Sequence, residues 1–265
     1  MTSLVDKLLK LIFPPRCVCC GEIISLKADD LCEKCKGEYE EAKRMLCPRC
    51  VLPYSSCTCA SRFMTHKGLG TLIKLFRYRA GEPDAAENKL IYRLKHANCQ
   101  ATERFIAREL APLIRAKLHE KYEYVIVGAP RSATAIKRDG YDHITYLCRA
   151  LSRALGVPYL PAVKRICDEG EQKRKNRHER LAAAGRSYAP NGKYSLKGKR
   201  VILVDDVATT GGTLVACANA VRRLGARGIL ACVVGTSFSY AELEDKKRYD
   251  EAKRRLTLPH LYYKR

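Results

Sequence analysis

Nine of the fourteen cysteines in this chain fall between Cys17 and Cys59, and eight of them fall in pairs: Cys17-x-x-Cys20, Cys32-x-x-Cys35, Cys47-x-x-Cys50 and Cys57-x-Cys59. A two-residue gap lets both thiolates of a tight turn reach one ion at about 2.3 Å, and two such knuckles complete a tetrahedral shell. Four pairs in 43 residues therefore describe two four-thiolate sites. The sequential assignment takes Cys17, Cys20, Cys32 and Cys35 for one site and Cys47, Cys50, Cys57 and Cys59 for the other; the alternative is an interleaved pairing. Cys19 sits inside the first knuckle as a further candidate thiol, and Cys57-x-Cys59 is tighter than the usual spacing. Few large apolar residues lie between Phe13 and Tyr54, too few for an independent core, so metal binding would supply much of the folding energy of this segment. Structural zinc, with two ions, is the expectation, and an iron–sulfur cluster is the alternative. Four pairs in series exceed what thiol–disulfide exchange needs.

The other five cysteines (Cys99, Cys148, Cys167, Cys217 and Cys232) are scattered through apolar or helical contexts, as buried reduced thiols would be. That distribution fits a reducing, cytoplasmic compartment. With 265 residues, 46% of them apolar and 29% charged, the chain suits one α/β domain plus a small one. No apolar run approaches the roughly 18 residues of a membrane span. The start, MTSLVDKLLKLIFPP, carries Asp6, Lys7 and Lys10 among its apolar positions. It reads as a short amphipathic helix packing on the body, in preference to a signal peptide or an anchor. The formal charge of +22 favours polyanionic ligands without choosing among nucleic acid, phosphates and acidic partners.

Beyond the cysteine-rich segment, strands alternate with helices. Residues 68–79 read as an extended segment ending at Gly81 and Pro83, with Asp84 as N-cap of a short helix reaching Leu94. Residues 102–118 carry an apolar helical stripe at Phe105, Ile106, Leu110, Leu113, Ile114 and Leu118. YEYVIVGAP is a continuous apolar run closed by Pro130, as a buried parallel strand requires. A helix from about 142 to 155, a short strand in YLPAVKRI, the strand VILVDD, the helix TLVACANAVRRLGA capped by Gly225, and the strand ILACVVGTSF follow. The charged tail from Ala241 reads as helical. This order predicts an open, mostly parallel sheet with helices on both faces.

VILVDDVATTGGTL, residues 201–214, holds the candidate chemistry. In such sheets ligands sit beyond the carboxyl ends of the strands, which is where Asp205 and Asp206 fall. Adjacent strand residues point to opposite faces, so the two carboxylates cannot do the same job. Two carboxylates this close repel unless something donates to them, and a cis-diol or Mg²⁺ would do so. After them Ala208, Thr209, Thr210, Gly211, Gly212 and Thr213 lead into a helix whose first amides lack internal partners and whose dipole favours an anion. The glycines allow close backbone approach and the threonines add hydroxyl donors. No G-x-x-x-x-G-K-[ST] occurs here, and the glycine spacing is wrong for a dinucleotide fingerprint. A diol binder beside a phosphate cradle describes a ribose 5-phosphate.

VILVDDVATTGGTL resembles the phosphoribosyl pyrophosphate (PRPP) motif of type I phosphoribosyltransferases. Together with the paired cysteines, LIYRLKH, KRDGYDH and HER, all in family order from about Leu8 to Phe238, the chain is similar to the ComF family of competence-related proteins. The resemblance implies a type I phosphoribosyltransferase fold over residues 63–265 behind a double zinc ribbon over residues 1–62. It assigns Asp205 and Asp206 to the ribose hydroxyls and the Mg²⁺-bound ligand, and residues 208–213 to the 5-phosphate. Lys95 of LKH falls in the pyrophosphate loop, and Arg131 and Ser132 of APRS fall at the same sheet edge. Two positions depart from the family pattern. Arg-Gly-Phe-Asn-Gln is common where this chain has DGYDH (residues 139–143), so Asp139 replaces a basic residue and Asp142 an amide. Gln172 and Arg180 are kept, but Ala183 stands where an asparagine is common. Both changes bear on the acceptor more than on PRPP. His143 is a candidate base, though a structural hydrogen bond at a helix N-terminus is the preferred reading.

The resemblance implies a PRPP- and Mg²⁺-binding protein that also handles single-stranded DNA in natural competence, alongside competence-machinery proteins. The alternatives are a nucleobase-salvage transferase and a non-catalytic PRPP sensor. The basic run QKRKNRHER (residues 172–180) would close over PRPP or track a DNA backbone by phosphate contacts.

Overall fold

The computed structural model describes residues 13–25, 30–79, 81–166 and 187–237. The N-terminal amphipathic stretch, the run 172–180 and the tail from Ala241 lie outside them.

Strands β1 (Leu72–Ile73), β2 (Phe76–Arg77), β3 (Tyr124–Gly128), β6 (Arg200–Ala208) and β7 (Gly228–Thr236) form one sheet in the order β1-β7-β6-β3, with β2 also on β7. All pairings in it are parallel. Tyr159 adds a parallel bridge to Ile126 at the outer edge. Two short strands, β4 (Val163–Arg165) and β5 (Tyr188–Pro190), pair antiparallel apart from this sheet. The anticipated extended segment 68–79 is thus two short pieces flanking Lys74 and Leu75.

The pleat of β6 divides the interior. Ile202 and Val204 face a cluster built with helices α3 (Ala86–His96), α4 (Gln100–Arg115) and α6 (His143–Leu155). Val201 and Leu203 face a second cluster with Tyr188 and helix α7 (Gly212–Arg223). Both faces of the central strand are buried, which is why its sequence is a continuous apolar run with no alternation. The expected fold class is therefore present: a mostly parallel sheet flanked by helices, behind a cysteine-rich N-terminal unit.

Several local expectations need correction. The N-cap of α3 is Ala85, which makes no side-chain cap. Asp84 is 96% exposed and pairs with Lys89 instead. The C-cap of helix α7 is Leu224, one residue before the expected Gly225. A short helix α5 (Ala133–Asp139) fills the stretch after β3, capped by the buried Ser132 hydroxyl, which accepts from the Ala135 amide at 3.1 Å.

The cysteine-rich unit contains a helix that composition alone concealed. Helix α1 (Glu33–Arg44) buries only Cys35, Tyr39 and Ala42. Tyr39 packs edge-on against Phe105 and Phe76, at 5.3 and 6.1 Å between centroids, and its hydroxyl donates to Glu109 at 3.0 Å. The unit thus borrows the apolar surface of the α/β body. Helix α2 (Arg62–His66) follows, straddling the expected 62/63 boundary and packing on α7 through Met64.

Candidate functional site

Parallel strands present their carboxyl ends along one edge. There Asp205 and Asp206 end the apolar run of β6 and open onto a cleft of about 400 Å³. The cleft is also lined by Lys95, His96, Arg131, Arg138, His143, Arg165, Tyr188 and Thr213. Sequence-distant basic groups thus converge on two carboxylates.

The pleat separates the two aspartates as their adjacency predicts. Asp206 faces the helical layer of α3 and α6. Its Oδ2 lies 2.8 Å from His143 Nε2 and 3.3 Å from Lys95 Nζ. Burial works against its charge, but the His143 hydrogen bond and the Lys95 ammonium outweigh it and hold Asp206 below the ordinary carboxylate range. Asp205 points to the other layer and accepts the Asp206 amide at 2.9 Å. Burial, and then the neighbouring Asp206 charge, push its pKa up to about 8. One carboxylate is therefore charged near neutrality while the other retains its proton.

Lys95 sits in the last turn of α3. It lines the cleft, so it is more than an exposed helix-end lysine. Arg131 reaches the same cleft and is anchored there by part of its guanidinium. It donates to the Tyr141 carbonyl at 2.9 Å and pairs with Asp139, whose side chain is 4% exposed. Arg138 pairs with Asp139 as well, and His96 Nδ1 lies 3.5 Å away. Arg138 and Arg131 together outweigh burial and depress the Asp139 pKa. The Asp139 departure thus fixes an arginine at the sheet edge. Asp142, the other departure, caps α6: it accepts from the Ile144 and Thr145 amides and from the Thr145 hydroxyl. His143 is 2% exposed and bonded to Asp206, which is a positioning arrangement and leaves its Nε2 engaged.

The turn after β6 is shaped by Gly211, at φ +84°, a left-handed conformation that costs an L side chain about 1–2 kcal/mol. A Cβ there would also overlap Met64. Gly211 is the N-cap of α7 and supplies no side-chain cap. The Thr210 hydroxyl accepts weakly from the Gly212 amide at 3.3 Å. Thr213 lines the cleft directly, and Thr209 is exposed beside it. Arg165 and Tyr188, from the β4–β5 pair, also line the cleft. In the sequence they are a lone basic residue and a lone ring on either side of a polar stretch, and neither belongs to a motif. Arg165 donates to the Tyr188 hydroxyl at 3.3 Å and stacks over its ring at 5.5 Å.

In the N-terminal unit the thiols of Cys17, Cys20, Cys32 and Cys35 lie within 4.8 Å of one another, and so do those of Cys47, Cys50, Cys57 and Cys59. Cys20 and Cys32 Sγ are 3.8 Å apart, against about 3.8 Å for the edge of a tetrahedron with 2.3 Å bonds. The Cys35 amide approaches Cys32 Sγ at 3.5 Å and the Cys59 amide approaches Cys57 Sγ at 3.3 Å, the outer-shell donors a thiolate site needs. The grouping is sequential, and both sets suit structural zinc. Cys19 stays outside them, buried in the apolar cluster.

Residues 108–263 match the Phosphoribosyl transferase domain family, and residues 8–64 match the Double zinc ribbon domain family. The chain is 23% identical to Competence protein ComFC of Streptococcus pneumoniae over 81% of this chain and 96% of that one. It is 28% identical to Competence protein F of Haemophilus influenzae over 81% and 93%. A solved structure of the allosteric regulatory enzyme of purine biosynthesis aligns at a TM-score of 0.36 and 14% identity over 54% of this chain. The chain spans 30% of that enzyme's length. The chain belongs to the phosphoribosyl transferase domain family, and within it to the ComF family, which joins that domain to a double zinc ribbon.

Proposed function

We propose that the cleft at the carboxyl end of β6 binds PRPP together with Mg²⁺, and that the protein works on single-stranded DNA in natural competence. The observation that carries the reading is the convergence of Asp205, Asp206 and, from the first turn of α7, Thr213 with Lys95, Arg131 and Arg165 on one cleft. Asp206, held by His143 and Lys95, is oriented to accept a ribose hydroxyl. The amides of the α7 N-terminus and the hydroxyls of Thr209, Thr210 and Thr213 would receive the 5-phosphate. Lys95 and Arg131 would receive the pyrophosphate. The two aspartates offer the hard oxygen donors that Mg²⁺ prefers; bound with PRPP, the ion would neutralise charge on the pyrophosphate. If transfer occurs, basic side chains stabilise the departing oxygens while positive charge grows at the ribose. The acceptor is unnamed, and Asp139 and Asp142, spent on Arg131 and on a cap, offer no obvious means of selecting it.

The DNA part rests on the +22 charge and on relatives named for competence. A salvage transferase is the competing reading. Rapid pyrophosphate release with one free nucleobase, and none with DNA, would favour it. Thermal shift tests the binding reading. PRPP with Mg²⁺ should raise the melting temperature more than ribose 5-phosphate or pyrophosphate alone. An equal shift with pyrophosphate alone would remove the sugar and 5-phosphate subsites. DNA affinity should fall steeply with salt; a flat response, or no binding at low salt, would remove the DNA part.

A further inference from the structure

We propose that Ser61 and Met64, in the segment leaving the second four-thiol site, are positioning residues for the turn at residues 210–212. Metal occupancy at Cys47, Cys50, Cys57 and Cys59 would then set the shape of that turn. The inference rests on the reading of the turn as the 5-phosphate site.

The turn's own side chains supply it with one long hydrogen bond, from the Gly212 amide to the Thr210 hydroxyl at 3.3 Å. Gly211 caps α7 with no side chain, in a left-handed conformation open to glycine. A shorter bond comes from 149 residues earlier in the chain: the Ser61 hydroxyl donates to the Thr210 carbonyl at 2.9 Å. That hydroxyl also accepts the Met64 amide at 3.2 Å, capping α2, so its direction is set from both sides. The Met64 side chain, fully buried, fills the space where a Cβ of Gly211 would be. Orienting the Thr210 carbonyl orients the peptide plane it shares with the Gly211 amide, and hence the entry to the helix N-terminus.

Ser61 is in turn held by the second thiol site. Arg49, inside the Cys47–Cys50 knuckle, donates to the Ala60 carbonyl at 2.6 Å. The Leu72 amide donates to the Thr58 carbonyl at 2.9 Å, tying the segment to β1. Lys74, fully buried, donates to the Cys57 and Cys59 carbonyls at 3.0 Å each. Four thiolates around a divalent cation leave two net negative charges, and an interior ammonium beside them offsets part of that. Metal thus holds residues 57–60 in one shape, and that shape presents Ser61 to the turn.

The test is hydrogen exchange on the full zinc-loaded chain. Wild type is compared with Ser61→Ala and Met64→Ala, and with wild type from which zinc is removed stepwise by a chelator and counted as it is released. The expected result is exchange roughly three- to tenfold faster across residues 209–216 in Ser61→Ala, the scale of one lost neutral hydrogen bond. Zinc content and exchange at residues 124–128 should stay unchanged. Release of zinc should produce the same local effect in wild type. Unchanged exchange at 209–216 in Ser61→Ala overturns the proposal, whatever Met64→Ala does to global stability. Calorimetry with PRPP and Mg²⁺ is run alongside. Weaker PRPP binding by a similar factor in Ser61→Ala extends support to the ligand site. Absence of wild-type binding refutes the PRPP reading, and the exchange result then decides the positioning role alone.

Discussion

Asp205 should make the ligand-free protein less stable as pH rises, and its replacement should reverse that. Its pKa is pushed from an ordinary 3.8 to about 8 by burial and by the Asp206 charge. Between those values the folded state keeps a proton that the unfolded chain releases. Stability therefore falls with rising pH, by about 1.4 kcal/mol per unit for a single full proton, and levels off above the folded pKa. From pH 5 to pH 8 the upper bound is about 4 kcal/mol, and access of water to the cleft brings the expected loss nearer to 2 kcal/mol. Asp205→Asn keeps an oxygen to accept the Asp206 amide and removes the proton linkage. Melting curves of both proteins, zinc-loaded and at matched salt, should nearly coincide at pH 5. At pH 8 the variant should melt roughly 4–8 °C higher. The comparison is between two chains in the same buffer, so effects of zinc release and of histidine titration largely cancel. Parallel pH profiles for the two proteins would show that Asp205 is no strained carboxylate, and the picture of one charged and one protonated aspartate would fail.

Three further outcomes follow from the packing. Gly211→Ala meets both the left-handed backbone and Met64, and should cost about 2–4 kcal/mol; a wild-type melting temperature would contradict the turn geometry. Lys74→Met strands the carbonyls of Cys57 and Cys59 and removes the buried ammonium. Zinc release to a chelator should then become biphasic, one ion leaving early, whereas uniform release would show that Lys74 does not serve the second site. Asp139→Asn leaves Arg131 short of its carboxylate partner and should cost about 2 kcal/mol at pH 7. Because the folded pKa of Asp139 is depressed, its contribution is present above the ordinary carboxylate range and lost as pH falls through and below it; a gap that persists in strong acid would refute the ion-pair account.

The parts of the fold legible in the sequence were those set by local pattern. Continuous apolar runs marked β3, β6 and β7 because these strands are buried on both faces. The spacing of the cysteines, with the sequential grouping preferred, matched the two thiol groups in the structure because a knuckle's geometry is local. What escaped was set by contacts between distant segments. Helix α1 buries three residues and is helical in context because Tyr39 finds Phe76 and Phe105. At the cleft, Asp205, Asp206 and the glycine turn announced themselves as one motif. Arg165 and Tyr188 did not, since nothing near them in the chain signals a ligand. The Asp139 departure looked like a lost base; only the fold shows that it holds Arg131. Ser61 belongs to no sequence motif and meets Thr210 only through the fold.

The central claim is that two unlike carboxylates and a glycine turn receive one ribose 5-phosphate ligand. Calorimetric titration of the zinc-loaded chain with PRPP and Mg²⁺ tests it most directly. The account predicts saturable binding near one ligand per chain, net proton release at pH 7 as Asp205 ionises, and affinity roughly tenfold or more weaker in Asp206→Asn, the scale of a hydrogen bond to a charged group. Absence of heat in the wild type, or equal affinity in Asp206→Asn, would contradict it.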